Sequence, residues 1–234
     1  MSDSEAKLRQ GELVVTGRLI DASNATLLAN CIVGNESIKC IYKPIAGERP
    51  LWDFQDGNLA SREYAAFLIS EMMQMHIVPT TILRDGPYGM GMVQEWIDID
   101  ANIDLADYFR RDQSQLRAMA LFDAVINNTD RKIGHLLPRE DGKLYGCDHG
   151  VTFHEENKLR TVLWQWAGQN LSVDELNSLN ELILKLESHQ GEAFNALLTT
   201  NEIQALRSRI MNLIDQKTFP MPNPEWPAIP WPAF

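Results

Sequence analysis

The chain has 234 residues, 44% of them apolar and 23% charged, and carries a formal charge of −11 from 21 Lys and Arg against 32 Asp and Glu. A chain this long buries a core without disulfide or metal staples, and its acidic balance argues against nucleic acid and anionic lipid as partners. Three cysteines, Cys31, Cys40 and Cys147, with no CxxC pair, exclude a disulfide framework and a zinc ribbon. With no signal-like start and no apolar run of about 18 residues, the expectation is a cytoplasmic protein without stable membrane association.

Residues 1–10 are polar and read as a frayed start. Three strands follow, over 13–20, 25–33 and 37–43; in the third, Ile38, Cys40 and Tyr42 alternate with Lys39, Ile41 and Lys43. Residues 44–57 form a loop rich in Pro and Gly, and Leu59, Tyr64, Phe67, Leu68, Met72 and Met75 space a helix over 58–75. Two more strands are expected at 80–83 and 92–97. Beyond them the pattern turns helical, at 103–111 and 113–126. A short hairpin spans 136–147 around the turn Glu140-Asp141-Gly142, and helices are expected at 173–189, 192–198 and 202–216. Ser172-x-x-Glu175 and Thr199-x-x-Glu202 are capping boxes. Six prolines after residue 219 predict an extended tail, in which Trp226, Trp231 and Phe234 need a surface of this chain or of a partner to cover them. The fold class is therefore α+β with two lobes: a β-rich N-lobe with one helix (1–98), an α-helical C-lobe (99–219) and a Pro/Trp-rich tail (220–234).

The segment Asn127-Asn128-Thr129-Asp130-Arg131-Lys132-Ile133-Gly134-His135 follows an apolar helix and precedes a hairpin that ends in Cys147-Asp148-His149-Gly150. A helix, a polar loop with Asp, a hairpin and a second Asp beside Gly is the layout of a kinase catalytic loop and metal-binding turn. Phosphoryl transfer needs a carboxylate to orient the attacking hydroxyl and ligands for the metal that bridges the phosphates. Asp130 suits the first task, and His135 and Asp148 suit the second. Lys43 closes the third strand, where it can reach phosphates, and Glu63 lies near the apolar face of the following helix, where a carboxylate needs a partner. Arg62 and Arg49 are the alternatives to Lys43 for that partner. The turn holding Ser23, Asn24 and Thr26 offers hydroxyls and backbone N–H groups to phosphates, although it lacks GxGxxG. Glu95, Trp96 and Ile97 occupy the link between lobes, where backbone groups can pair with an adenine edge between apolar walls. No HExxH, GxSxG or Walker A pattern is present.

These segments give the chain a resemblance. Ser23-Asn24-Ala25-Thr26, Tyr42-Lys43-Pro44, the run 47–54 (GERPLWDF), Arg62-Glu63-x-Ala65-Ala66, the run 78–87 (VPTTILRDGP), Asn127-Asn128-x-Asp130-Arg131-Lys132 and Asp148-His149-Gly150 together resemble the phosphatidylinositol 3-/4-kinase-like group, in particular a small bacterial branch from actinobacteria and chloroflexi. The Asp-Arg pair is also similar to HipA-type kinases. The resemblance implies a protein-kinase-like fold that binds ATP and a divalent metal, Mg²⁺ or Mn²⁺. It places Lys43 at the phosphate lysine, Glu63 at its helix partner, Asp130 at the catalytic aspartate and Asp148 at the metal aspartate. One position departs from the pattern: those kinases place Asn five residues after the catalytic Asp, where this chain has His135. The expected activity is transfer of the γ-phosphoryl group of ATP to a hydroxyl, on a protein Ser/Thr ahead of a lipid. Nucleotidyl transfer and a nucleotide-binding pseudokinase are the alternatives.

Overall fold

The computed structural model describes residues 2–19 and 24–234. Seven strands and six α-helices follow in the order α1 (Asp3–Gln10), β1 (Glu12–Arg18), β2 (Leu27–Val33), β3 (Glu36–Pro44), α2 (Leu59–Met72), β4 (Thr81–Gly86), β5 (Gly89–Glu95), α3 (Leu105–Tyr108), α4 (Ser114–Ile126), β6 (Leu136–Pro138), β7 (Leu144–Gly146), α5 (Val173–Glu187) and α6 (Thr200–Gln216). The first five strands form one antiparallel sheet in the order β1-β2-β3-β5-β4, and β6 and β7 form a separate hairpin. An antiparallel sheet lobe followed by a helical lobe is the expected α+β arrangement.

The start is not frayed. Ser2 caps α1 by accepting from the Glu5 N–H at 3.1 Å, and Leu8 is fully buried against the sheet. A single apolar residue carries this contact, so no hydrophobic stripe marks the helix in the sequence. Leu8 joins Leu13, Ala29, Cys31, Cys40, Tyr42, Ile82 and Val93 in a small core on one face of the sheet. The strand alternation puts Ile41 and Lys43 on the other face, toward α2 and the C-lobe.

Helix α2 belongs to a different core. Ala65, Ala66 and Ile69 pack with α4, α5 and α6 through Leu121, Val125, Leu179, Leu182, Leu206 and Ile210. Helix α4 is apolar almost all round, which suits its central place. Three expected helices are shorter or tighter than their patterns. Met73 ends α2, with Gln74 and His76 following at positive φ; only Leu105–Tyr108 is helical in 103–111; and the residues around 192–198 lie in a 3-10 helix, His189–Ala196. The tail 220–234 contains no helix or strand and runs along the C-lobe. The Thr161 N–H and the Trp164 Nε1–H both donate to the Ala228 carbonyl, at 3.0 and 2.9 Å, and the Ile133 N–H donates to that of Ala233 at 2.9 Å. Trp226 lies 5.2 Å from the Lys158 ammonium, whereas Trp231 and Phe234 are exposed. No described helix is long and apolar enough to cross a membrane.

Candidate active site

Lys43 stands opposite Met92 in the β3–β5 ladder, one residue before the strand ends. The strands approach closely there. A Cβ on Gly91 would lie 2.5 Å from the Lys43 carbonyl oxygen and 2.7 Å from the Pro44 Cα, so only glycine fits. The Lys43 ammonium donates to Glu63 Oε1 at 2.6 Å and to Asp148 Oδ1 at 2.8 Å. Three segments distant in sequence thus meet at one nitrogen.

Glu63 directly follows the first turn of α2. Asn58 caps that turn by accepting from the Ser61 N–H at 2.7 Å, and the Glu48 carboxylate accepts from the N–H groups of Leu59 and Ala60 at 2.8 and 2.9 Å. A carboxylate at a helix N-terminus satisfies orphan N–H donors and opposes the helix dipole. Glu48 lies in a Pro/Gly loop, and no local pattern marks it as a cap for a helix eleven residues on. The second Glu63 oxygen accepts from the His149 N–H at 2.9 Å. Asp148 itself adopts a left-handed φ of 60°, which costs a non-glycine residue energy and turns its carboxylate toward Lys43.

His135 Nε2 lies 3.5 Å from Asp148 Oδ2, and His135 Nδ1 faces the Lys132 N–H at 3.4 Å. In the neutral ring that long contact favours the tautomer with the proton on Nε2. Asp130 lies on the same loop, 3.3 Å from the Lys132 ammonium. Its backbone N–H donates to Asn128 Oδ1, while Asn128 Nδ2 donates to Asp123. Among the described residues no three His, Cys, Asp or Glu side chains gather as a metal cluster. Asp148 and His135 supply carboxylate oxygen and imidazole nitrogen at one point, and 51% of the Asp148 side chain is open. Such a partial set fits a divalent cation that takes its other ligands from phosphate and water.

The remaining expected nucleotide contacts are more scattered. Ser23 lies outside the described residues. Asn24 accepts from the Arg49 N–H at 2.9 Å, and Thr26 is buried. The Glu95 side chain faces α1 and accepts from Ser4 Oγ at 3.2 Å, so it does not line the Lys43 face. The N–H groups of Glu95 and Trp96 donate to the carbonyls of Thr80 and Lys39, so neither is free to pair with an adenine edge. Trp96 lies under the Lys39 ammonium, 4.0 Å from its ring centroid, and Ile97 is buried.

The chain is 43% identical over 267 aligned positions to Protein Rv2133c of Mycobacterium tuberculosis, an alignment that covers 99% of this chain and 96% of that protein. The chain belongs to the Protein Rv2133c family. No model of a known protein family matches it. Solved structures similar to it include Fam20 of hydra with sugar (TM-score 0.58, 11% identity, 92% of this chain and 88% of the other) and the Golgi casein kinase (TM-score 0.59, 11% identity, 92% and 74%). The proinflammatory kinase CtkA of Helicobacter pylori is also similar (TM-score 0.51, 11% identity, 90% and 94%). The fold of this family member is therefore kinase-like.

Within that fold, burial and charge compete at each ionisable group. Burial opposes the charge on Lys43, but the Asp148 and Glu63 carboxylates outweigh it and hold the ammonium protonated beyond the usual lysine range. The same lysine drives the Asp148 carboxyl well below the ordinary carboxylate range, against its desolvation. Burial raises Glu63 despite Lys43. Burial also raises Asp130, with Lys132 in partial opposition. Burial lowers His135 to about 4 despite Asp148, so the ring is neutral near pH 7.

Sequence reasoning missed the scaffold beneath this loop. Arg131, paired on paper with Asp130 in a motif, turns inward. It is fully buried, donates to both Asp123 oxygens and to the Cys147 carbonyl, and lies 2.7 Å from His149 Nε2. Asp123 sits in the apolar run of α4, and an acidic residue there was the available signal. Arg62 does not partner Glu63 either; it is paired with Glu202, 140 residues away.

Proposed function

We propose that this protein transfers the γ-phosphoryl group of ATP to a hydroxyl acceptor, a protein Ser or Thr ahead of a lipid. The observation that carries the reading is the Lys43 ammonium held between Glu63 and Asp148 on a kinase-like fold. In the neighbouring Golgi casein kinase with Mn/ADP bound, the nucleotide and the metal occur together, and we read the same pair of ligands into this chain, with Mg²⁺ or Mn²⁺ as the metal. The motif resemblance to the small bacterial phosphatidylinositol 3-/4-kinase-like branch is part of the same reading.

The roles follow from the chemistry of each group. Lys43 moves from carboxylate to phosphate oxygen and supplies fixed positive charge where negative charge shifts during transfer. Glu63 keeps that lysine aimed into the cleft. Asp148 and His135 hold the divalent ion, which neutralises phosphate charge when bound; ligation through His135 Nε2 takes the tautomer with the proton on Nδ1. Asp130 accepts the hydroxyl hydrogen bond and orients the acceptor oxygen, and its raised pKa suits a group that receives a proton late in transfer. Asn24, Thr26 and the Trp96-Ile97 link cover the nucleotide. The tail forms part of the C-lobe surface beside the acceptor side of the loop.

The test is incubation with ATP labelled at the γ or the α position and each metal, followed by mass spectrometry of the protein. Transfer of γ-label alone supports the kinase reading. Transfer of α-label replaces it with nucleotidyl transfer, and binding without transfer replaces it with a pseudokinase.

A further inference from the structure

The buried pair Arg62–Glu202 has no part in the chemistry above, yet Arg62 closes the first turn of α2 and Glu63 follows it directly. Arg62 is 2% exposed, and its Nε and Nη2 both reach Glu202 Oε1, at 3.1 and 2.6 Å. Its remaining N–H groups donate to the Asn58 and Asp56 carbonyls at 3.2 and 2.7 Å. The Phe54 ring lies 5.0 Å from the guanidinium. Glu202 is equally committed. It is the N3 residue of α6, and its other oxygen accepts from the Thr199 N–H at 2.8 Å. A buried ion pair is weak as a source of net stability, because desolvation offsets the attraction; what it imposes is geometry.

That geometry matters because of where α2 lies. Its apolar face packs in the C-lobe core, whereas the sheet bearing Lys43 packs in its own core with α1. The first turn of α2 spans the two. Glu48 ties it to the loop after β3, and Arg62 ties it to α6. Beside the ion pair opens a cavity of about 370 Å³, lined by Phe54, Asp56, His154, Lys158 and the pair itself. That space is open to solvent, so the turn has room to shift once the ion pair is lost.

We propose that the Arg62–Glu202 pair is a positioning clamp: it fixes the first turn of α2 against the C-lobe and thereby sets the Lys43–Glu63 contact. The inference rests on the proposed role of that contact in phosphoryl transfer. Arg62 and Glu202 touch no substrate; they act through Glu63.

The experiment uses the full chain with Glu202→Gln, Glu63→Gln and the two combined. Gln at position 202 keeps one oxygen to accept from the Thr199 N–H in the capping box and turns an amide –NH2, which cannot accept, toward Arg62, so the ion pair alone is lost. Arg62→Met/Glu202→Gln is the second variant; it leaves no unpaired buried cation, so it folds if the single variant does not. Two readouts are taken: hydrogen exchange of α2 amides, and the rate at which label leaves γ-labelled ATP, to water or to the protein. We expect faster exchange in the first turns of α2 with α5 unchanged, and a rate lower by about tenfold. In the Glu63→Gln background, Glu202→Gln should cost less than about twofold, since both act through one contact. Unchanged α2 exchange overturns the clamp, and so do rate losses that multiply in the combined variant. Wild-type protein that binds no ATP overturns the proposed function instead, and the exchange readout then still decides whether the pair clamps α2.

Discussion

Replacing Lys43 with Ala tests the site most directly, because the structure separates its effect on folding from its effect on binding. The ammonium sits between the buried Glu63 and the half-open Asp148. Removing one partner of a buried pair costs about 3–5 kcal/mol when the other stays charged. Glu63 escapes part of that cost by protonation, since burial already raises its pKa, and it can still accept the His149 N–H. The expected loss is therefore lower, about 1–3 kcal/mol, a fall in melting temperature of roughly 2–4 °C per kcal/mol for a chain of this size. Without Lys43 the folded Glu63 carboxyl holds its proton more tightly than the unfolded one, which releases it at about pH 4.3. The folded state then binds the extra proton, so stability is fully present below that pH and is lost as pH rises toward the folded value. The deficit against wild type should be larger at pH 8 than at pH 5. Adding Glu63→Gln should remove this pH slope and recover most of the stability. ATP affinity should behave differently. A charge-assisted hydrogen bond to phosphate contributes about 1.5–3 kcal/mol, so metal-ATP should bind roughly ten- to 150-fold more weakly in both variants. The assays are thermal melts across pH and calorimetric titration with ATP and Mg²⁺ or Mn²⁺. A folded Lys43→Ala protein with wild-type ATP affinity refutes the phosphate assignment.

Asp130→Asn should lower the transfer rate by about 10²- to 10⁴-fold while the Kd for ATP stays unchanged, as separate binding and single-turnover measurements will show. His135→Asn should keep or raise activity with Mg²⁺ and reduce any preference for Mn²⁺, whereas His135→Ala should lose metal-dependent ATP binding; equal binding by all three proteins removes His135 from the site. Deleting 220–234 takes the acceptors at Ala228 and Ala233 from three N–H donors, each worth about 0.5–1.5 kcal/mol, and should lower the melting temperature by about 5 °C or more. An unchanged melt shows that the tail contributes nothing to the C-lobe.

What the sequence disclosed was what short-range patterns encode. Alternation in 37–43 placed Lys43 on the face opposite Cys40 and Tyr42, and the spacing of Asp130, the hairpin and Asp148 marked where two loops would meet. The order of lobes followed from the change of period near residue 98. What stayed hidden depended on contacts between distant segments. Glu202 showed itself only as a capping residue, and nothing local tells that its second task is to bind Arg62. Glu48 looked like an ordinary loop acid. At the link between lobes, apolar residues suggested an adenine slot, but the ladder with β3 and the residue before β4 had already taken the Glu95 and Trp96 N–H groups. Backbone hydrogen bonding of that kind is set by strand register, which composition does not carry.

The buried network under the loop explains why two carboxylates, one half-buried and one half-open, can be placed accurately on irregular backbone. Loops carry function when a rigid scaffold positions them. Here the scaffold is Asp123, an acid buried completely in α4. Its two oxygens receive Arg131, Asn128 Nδ2 and Thr161 Oγ1, at 2.9 to 3.2 Å. Arg131 passes the restraint on to the Cys147 carbonyl, one residue before Asp148, and Asn128 passes it to the Asp130 N–H. One carboxylate thus indexes the loop that holds Asp130, the turn that holds Asp148 and the strand-like segment at Thr161. An uncompensated charge would be costly at this depth, so each of these bonds resists loss. The geometry of the pair Asp130 and Asp148 is consequently a property of the C-lobe core, whereas that of Lys43 and Glu63 depends on how α2 sits between the lobes.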